Sequence, residues 1–340
     1  MTAGCAYSKL FGLEKGVKKG DKCLKCGSQA AILLHYGPQK FCEPHFLELI
    51  ERRFKKTIRA YSLLKKGDKI TVGCSGGKDS TLVLFLLQKF FSKTNPITAL
   101  LIDEGIPGYR NEALKVAKKN CCAWKIPFKE FSLKKEFGFT MKQIAAKLEK
   151  NKKENLGSPC TFCGTLRRSL LNRAARQLKA DCLATGHNLD DETQSILMNV
   201  CDNDWRRFPR SGAKSGLIER KGFVQRIKPL CEIPEREVFY YIQFAGLESY
   251  TGECCPFSEA AKRNDYRALL NQLEEKYPGT KYSLWQFYNR LKPKLAESER
   301  AAKLKVKINK CKKCGEPSAG EKCEACAKIE ALKKMAKAGH

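Results

Sequence analysis

Nowhere in these 340 residues does an apolar run approach the length needed to cross a bilayer, and the N-terminus lacks the apolar core of a secretory signal. Thr2-Ala3-Gly4-Cys5 has the outline of a lipoprotein cleavage site, but nothing hydrophobic precedes it. Membrane-spanning and exported classes are therefore set aside, and a cytoplasmic protein is expected. Acidic residues are scarce beside basic ones: 36 Asp and Glu face 65 Lys and Arg, a net charge of +29. That imbalance points to a polyanionic partner, with nucleic acid first and an anionic membrane surface second. The 18 cysteines are not a disulfide framework in a reducing compartment, so metal or sulfur chemistry is the expectation.

A Walker A loop is missing too, since G-x-x-x-x-G-K-[ST] does not occur. What stands in its place is Ser75-Gly76-Gly77-Lys78-Asp79-Ser80, between a strand-like 69–74 and a leucine-rich helical stretch over 81–91. Strand, glycine turn and helix together make a phosphate site. The two glycines let backbone N–H groups turn inward, the helix adds its positive end, and Ser75, Ser80 and Lys78 add side-chain donors.

Downstream, strands read over 97–102, 127–132 and 181–185 alternate with helices over 110–124, 141–150 and an amphipathic one that follows Arg167 and Arg168 and runs through Leu178. This order predicts an α/β fold with a doubly wound parallel sheet, whose ligands sit outside the carboxyl ends of the strands. Asp103 and Glu104 follow the second strand, where they hold Mg²⁺, contact ribose or do neither. Gly186, His187, Asp190 and Asp191 follow the fourth, where a carboxylate can orient Mg²⁺ or take a proton, or Asp190 can simply cap a helix. Segment 203–221 is basic and aperiodic and reads as a mobile loop near the site. Helices are expected over 235–245, 259–276 and 282–295, and 303–310 reads as a lysine-rich linker.

Two cysteine groups flank this core. Cys23-x2-Cys26 with Cys42-x2-His45, and Cys311-x2-Cys314-x8-Cys323-x2-Cys326, each have the spacing of a structural zinc site. The expected organisation is a finger with linking helix over 1–55, a central domain over 56–300 and a zinc ribbon over 301–340. The ribbon then lies outside the sheet, and its lysines suit a phosphate backbone.

SGGKDS after a first strand resembles the PP-loop of the ATP pyrophosphatases. Joined with Asp103-Glu104-Gly105-Ile106, Cys160-x2-Cys163-Gly164, Arg167-Arg168, Gly186-His187-Asn188, Asp190-Asp191 and Cys255-Pro256-Phe257, it is similar to the tRNA 2-thiouridine synthetases of the archaeal and eukaryotic cytoplasmic type. The resemblance implies ATP with Mg²⁺ at Ser75, Gly76, Gly77, Lys78, Asp79, Ser80, Asp103, Gly186, His187 and Asp190. It implies a catalytic set of Lys78, Asp79, Asp190, Asp191, Cys160, Cys163 and Cys255, with the three cysteines holding a [4Fe–4S] cluster and Cys254 competing with Cys255. A persulfide on one cysteine is the competing account, and a third zinc lacks an evident fourth ligand.

The implied reaction is ATP-dependent 2-thiolation of a tRNA uridine, wobble position 34 before T-loop position 54. Arg110, Arg167 and Arg168 are candidates for phosphate contacts. The implied partners are tRNA and a sulfur donor, which is a ubiquitin-like thiocarboxylate protein, a persulfide or sulfide; a homodimer is admitted. Two readings compete: a PP-loop enzyme that delivers nitrogen, and a non-enzymatic zinc-ribbon RNA-binding protein. Neither needs Cys160, Cys163 and Cys255.

Overall fold

The computed structural model describes residues 16–151, 156–204, 207–208, 211–215, 222–258, 261–301 and 309–337. Half of the basic loop at 203–221 and most of the linker at 303–310 therefore lie outside the described residues, as does Cys5. The chain opens with an antiparallel pair, β1 (Ile32–Leu33) and β2 (Lys40–Phe41), followed by α1 (Glu43–Ala60). Pro44 in the first turn starts this helix, and Phe46, Leu49, Ile50, Phe54 and Ile58 form its buried stripe. The helix is continuous across residues 55 and 56.

The central sheet is built from β3 (Ile70–Cys74), β4 (Ile97–Asp103), β5 (Phe128–Ser132), β6 (Cys182–Ala184) and β7 (Gln225–Ile227). All neighbours are parallel, in the order β5-β4-β3-β6-β7. The connecting helices are α2 (Lys78–Phe91), α3 (Arg110–Ala123), α4 (Leu133–Phe137), α5 (Met141–Lys150), α6 (Pro159–Gln177) and α7 (Leu189–Cys201). Three more, α8 (Glu235–Phe244), α9 (Arg263–Lys276) and α10 (Thr280–Ala301), close the central region. The last elements are β8 (Asn309–Lys310), β9 (Pro317–Ser318) and α11 (Glu324–Lys337).

Both faces of the sheet are covered, as a parallel sheet requires. Alternation along β4 divides its side chains between two cores. Ile97, Ala99 and Leu101 join Ile70, Val72, the α1 stripe, Leu82 and Trp285 on one face. Leu100 and Ile102 join Ile144, Phe162, Leu166 and Leu170 on the other.

The strand order reverses direction between β3 and β6. At such a switch point the loops leaving the two carboxyl ends diverge and open a crevice. Residues 75–77 leave β3 there, and residues 185–188 leave β6.

Candidate functional site

The glycine turn is tighter than its spacing suggested, because α2 begins at Lys78 rather than at Thr81. Lys78, Asp79 and Ser80 are therefore the first helical turn, and Gly77 is its extended N-cap. Ser80 Oγ accepts the Ser75 N–H at 3.0 Å and donates to the Gly77 carbonyl at 3.0 Å, closing the loop on itself. Gly76 sits at φ +85°, and a Cβ there would stand 2.0 Å from the Ala113 carbonyl oxygen, so only glycine fits. Gly186 is equally constrained, since a Cβ would lie 2.7 Å from the Ser80 nitrogen. The two strand-end loops are thus in contact.

A polar network lines the crevice. Lys78 Nζ lies 2.8 Å from both Asp79 and Glu235, and Asn188 Nδ2 donates to Asp79 at 2.9 Å. Asn188 and Asp191 cap the start of α7 reciprocally, and Arg263 pairs with Asp191 at 3.1 Å. Asp79 and Asp191 each keep about a quarter of their side-chain surface open, at 25% and 24%, so both face the recess. Enclosure by protein, against the pull of Lys78, raises the Asp79 carboxyl; the same enclosure, against Arg263, pushes Asp191 up to about 6. His187 contacts Thr185 Oγ1 at 2.9 Å, and burial together with Lys228, Arg226 and Arg263 holds its imidazole neutral.

Asp190 is placed differently from its neighbour. It is 3% exposed, accepts the Glu235 N–H at 2.7 Å and pairs with Lys281. It faces the core and sets the position of Glu235. Asp103 Oδ1 accepts the Gly105 N–H at 2.8 Å and so caps its own turn. Arg110 is buried, donating to the Ile102 carbonyl at 2.6 Å and the Ser75 carbonyl at 2.8 Å while pairing with Glu104.

Cys160 and Cys163 lie on the first two turns of α6, which Ser158 caps and Pro159 starts. Their spacing of three puts both thiols on one helical face. Cys160 Sγ donates to the Phe257 carbonyl at 3.0 Å, which fastens the Cys255-Pro256-Phe257 turn against them. Cys255 is partly buried in the same cluster as Cys163, whereas Cys254 is exposed. Burial pushes the Cys163 thiol up to about 11 despite Arg167, with Glu104, Cys255 and Cys160 adding to the rise. Cys160 and Cys255 are raised by burial as well. Three cysteine thiols that share one recess beside Arg167 are a donor set that fits an iron–sulfur group.

The glycine turn and the cysteines meet through a relay of side chains. Arg110 runs from the Ser75 carbonyl to Glu104, and Arg167, 3.7 Å from Glu104, acts on Cys163. On the other flank the Tyr250 N–H donates to the Gly76 carbonyl at 2.8 Å, five residues before Cys255.

Among the described residues two sets bring four ligand atoms within 4.8 Å of one another: Cys23, Cys26, Cys42 and His45, and Cys311, Cys314, Cys323 and Cys326. Cys42 Sγ lies 3.2 Å and Cys23 Sγ 3.5 Å from His45 Nδ1. Against their burial, backbone donors hold Cys23 and Cys311 down to about 6, whereas burial raises Cys42, Cys314 and Cys326 in the same sets. Cys160, Cys163 and Cys255 are more widely spaced than either set.

Glu235, Arg263 and Lys281 had no motif to reveal them. Each comes from a helix more than 40 residues from the loop it meets, and only packing brings it there. Asn188 stood inside a quoted motif, but its bridge to Asp79 spans 109 residues.

Residues 46–273 match the model of the PP-loop domain family. The chain is 36% identical to the tRNA-5-methyluridine(54) 2-sulfurtransferase of Pyrococcus horikoshii, covering 92% of this chain and 94% of that one. It is 34% identical to the tRNA 2-thiolation protein NcsA of Haloferax volcanii, over 92% and 99%. Among solved structures it is similar to the U34-tRNA thiolase NcsA from Methanococcus maripaludis with its [4Fe–4S] cluster. That match has a TM-score of 0.76, 31% identity and coverage of 92% and 96%.

Proposed function

The chain belongs to the PP-loop family, among its tRNA 2-thiolation proteins, and from that membership we propose that it adenylates the C2 oxygen of a tRNA uridine and replaces that oxygen with sulfur. The observation that carries the proposal is the Ser75–Arg110–Glu104–Arg167 relay, which ties a phosphate-binding turn to three clustered thiols. A nitrogen-delivering enzyme or a passive RNA-binding protein has no use for those thiols.

In this reading the N–H groups of 76–78, with Ser75 and Ser80, take the pyrophosphate portion of ATP. Lys78 leaves its carboxylates for the phosphates, and Asp79 and Asp191 hold Mg²⁺ from the open side. Asp103, Gly186 and His187 border the nucleoside. Asp190 fixes Glu235, and Glu235 in turn aims Lys78.

The uridine O2 attacks the α-phosphorus as N3 gives up its proton, and pyrophosphate departs. Hydrosulfide then adds at C2, the C2–O bond breaks, AMP leaves with the oxygen and N3 regains a proton. Cys160, Cys163 and Cys255 would hold a [4Fe–4S] cluster, which would supply a Lewis-acid seat for that sulfur. Arg167 offsets negative charge at the same thiols.

Free sulfide meets the balance directly, a ubiquitin-like thiocarboxylate does so when water takes its acyl group, and a persulfide does so with two electrons from a thiol. The two flanking sets take Zn²⁺, and the reaction belongs where tRNA does, in the cytoplasm.

For the site of modification we propose the wobble uridine named for the solved relative, ahead of position 54 named for the Pyrococcus relative. Mass spectrometry of tRNA from a strain lacking the gene tests this: wobble 2-thiouridine should vanish and return with the wild-type gene but not with Lys78→Ala. Loss at position 54 instead would move the assignment, and unchanged thiouridine would end it.

A further inference from the structure

Two guanidinium groups on the cysteine side of the crevice make no ion pair among the described residues, and Glu324 acts on Arg168 only from beyond ion-pair distance. Arg168 projects from α6 one turn past Cys163, and Arg226 lies on the edge strand β7. Neither has a carboxylate within ion-pair distance among the described residues, unlike Arg173, Arg176 and Arg263 nearby. Arg226 Nε is buried without a hydrogen-bond partner among the described residues. Arg168 lies flat on Gly164: a Cβ there would stand 3.1 Å from its Nη1. A guanidinium parked on the bare face of a helix keeps its donors for something else.

The two groups stand close enough, with Arg167, for their charges to act on one another, and burial with that crowding brings Arg226 down to about 10. Arg168 is exposed and Arg226 half-buried, so an anion that reaches Arg168 from solvent can offset the repulsion between them and use both forks.

The nucleotide is not that anion. Its phosphates have donors at the end of β3, whereas β7 lies two strands away at the sheet edge. A uridine whose C2 lies between the glycine turn and the cysteines must direct its own phosphates outward, away from the turn. We propose that Arg168 and Arg226 together clamp an RNA phosphodiester adjoining the uridine that enters the crevice. This rests on the thiolation reading for the identity of the RNA, and it assigns Arg226 a role that no motif indicated.

The test uses the full chain, purified anaerobically, with wild type, Arg168→Ala, Arg226→Ala, the double variant and Arg168→Lys. Each alanine variant should bind unmodified tRNA about tenfold more weakly, as losing a charged hydrogen-bond pair does. The slope of log affinity against log salt should fall by about 1 per removed contact. Arg168→Lys should keep the slope and recover only part of the affinity, because it keeps charge but not the fork. Iron content should not change in any variant, and ATP affinity should not change in the Arg168 variants.

Unaltered tRNA affinity in both alanine variants would overturn the clamp. So would a fall in ATP affinity in the Arg168 variants, which would make the anion a nucleotide phosphate, or a loss of iron, which would make the arginines counter-charges of the cluster. A wild-type chain that binds tRNA without ever thiolating it would sink the proposed reaction and leave the clamp standing.

Discussion

The N-terminal finger and the C-terminal ribbon each draw four metal-ligating side chains within 4.8 Å, yet they are built into opposite faces of the sheet. Cys23 packs in the core that holds Phe46, Ile50 and Phe54. From there α1 reaches α8, where Arg53 and Tyr36 both bind Glu237, at 2.8 and 2.7 Å, and Phe46 meets Phe244 edge to face at 5.7 Å. Cys311, Cys323 and Cys326 pack instead with Phe162, Leu166 and Leu170 of α6, the helix that carries two of the crevice thiols. Lys328 lies 4.4 Å over the Phe162 ring, and Glu316 pairs with Arg176 at 3.0 Å.

The difference teaches that similar metal sites can brace different parts of one reaction. The finger steadies the face behind the ATP turn. The ribbon steadies the helix under the thiols, beyond any contact its lysines make with RNA.

Removing one metal ligand from each site should break the symmetry most visibly, because a structural zinc contributes roughly 10 to 16 kcal/mol to small zinc domains. Cys311→Ser should cost the protein its iron and its visible absorption, measured per folded molecule. Cys26→Ser should cost zinc and thermal stability while the iron stays. Equal iron loss in the two variants would remove the distinction.

A milder comparison uses two buried rings that touch no metal. Phe162→Ala and Phe46→Ala should each destabilise by about 3–5 kcal/mol in denaturant melts. At temperatures where both remain folded, only Phe162→Ala should slow sulfur transfer relative to adenylation. A similar ratio in both would mean that the two cores act as one.

The smallest effect sharpens the contrast between either face and the crevice they share. Asp191, enclosed and held at about 6, is ionised only above that pH, and in that form it accepts from Arg263 and from the Asn188 N–H. ATP–pyrophosphate turnover should therefore fall about tenfold per unit as pH drops below 6 and stay level just above it. Asp191→Asn should lack this limb, whereas Phe162→Ala should keep it. A limb that survives in Asp191→Asn would assign the titration elsewhere.

Much of this was legible in the residues, for stated reasons. The helix over 141–150 carries its own start signal, a Thr140–Gln143 capping box, and the structure has it at the expected bounds. The parallel sheet followed from alternating strands and helices, and the metal sets followed from pairs spaced by two. Ends were read less well. The helix after the glycine turn begins three residues early because Ser80 bonds back to 75 and 77, and α10 runs from 280 to 301, past the expected 282–295 with Pro293 inside it.

By itself the sequence determined what depends on near neighbours. It specified the glycine turn, the two four-ligand sets that could hold a metal, the pair of thiols one helical turn apart and the excess of positive charge. Tertiary structure alone decided which groups face each other across the crevice. Asp190 turns inward to Lys281 while Asp191 stays open, Glu235 reaches Lys78 from 157 residues away, and Cys255 rather than Cys254 enters the recess. Adjacent residues have nearly the same sequence context, and burial separates them only when the helices α8 to α10 close over the strand ends.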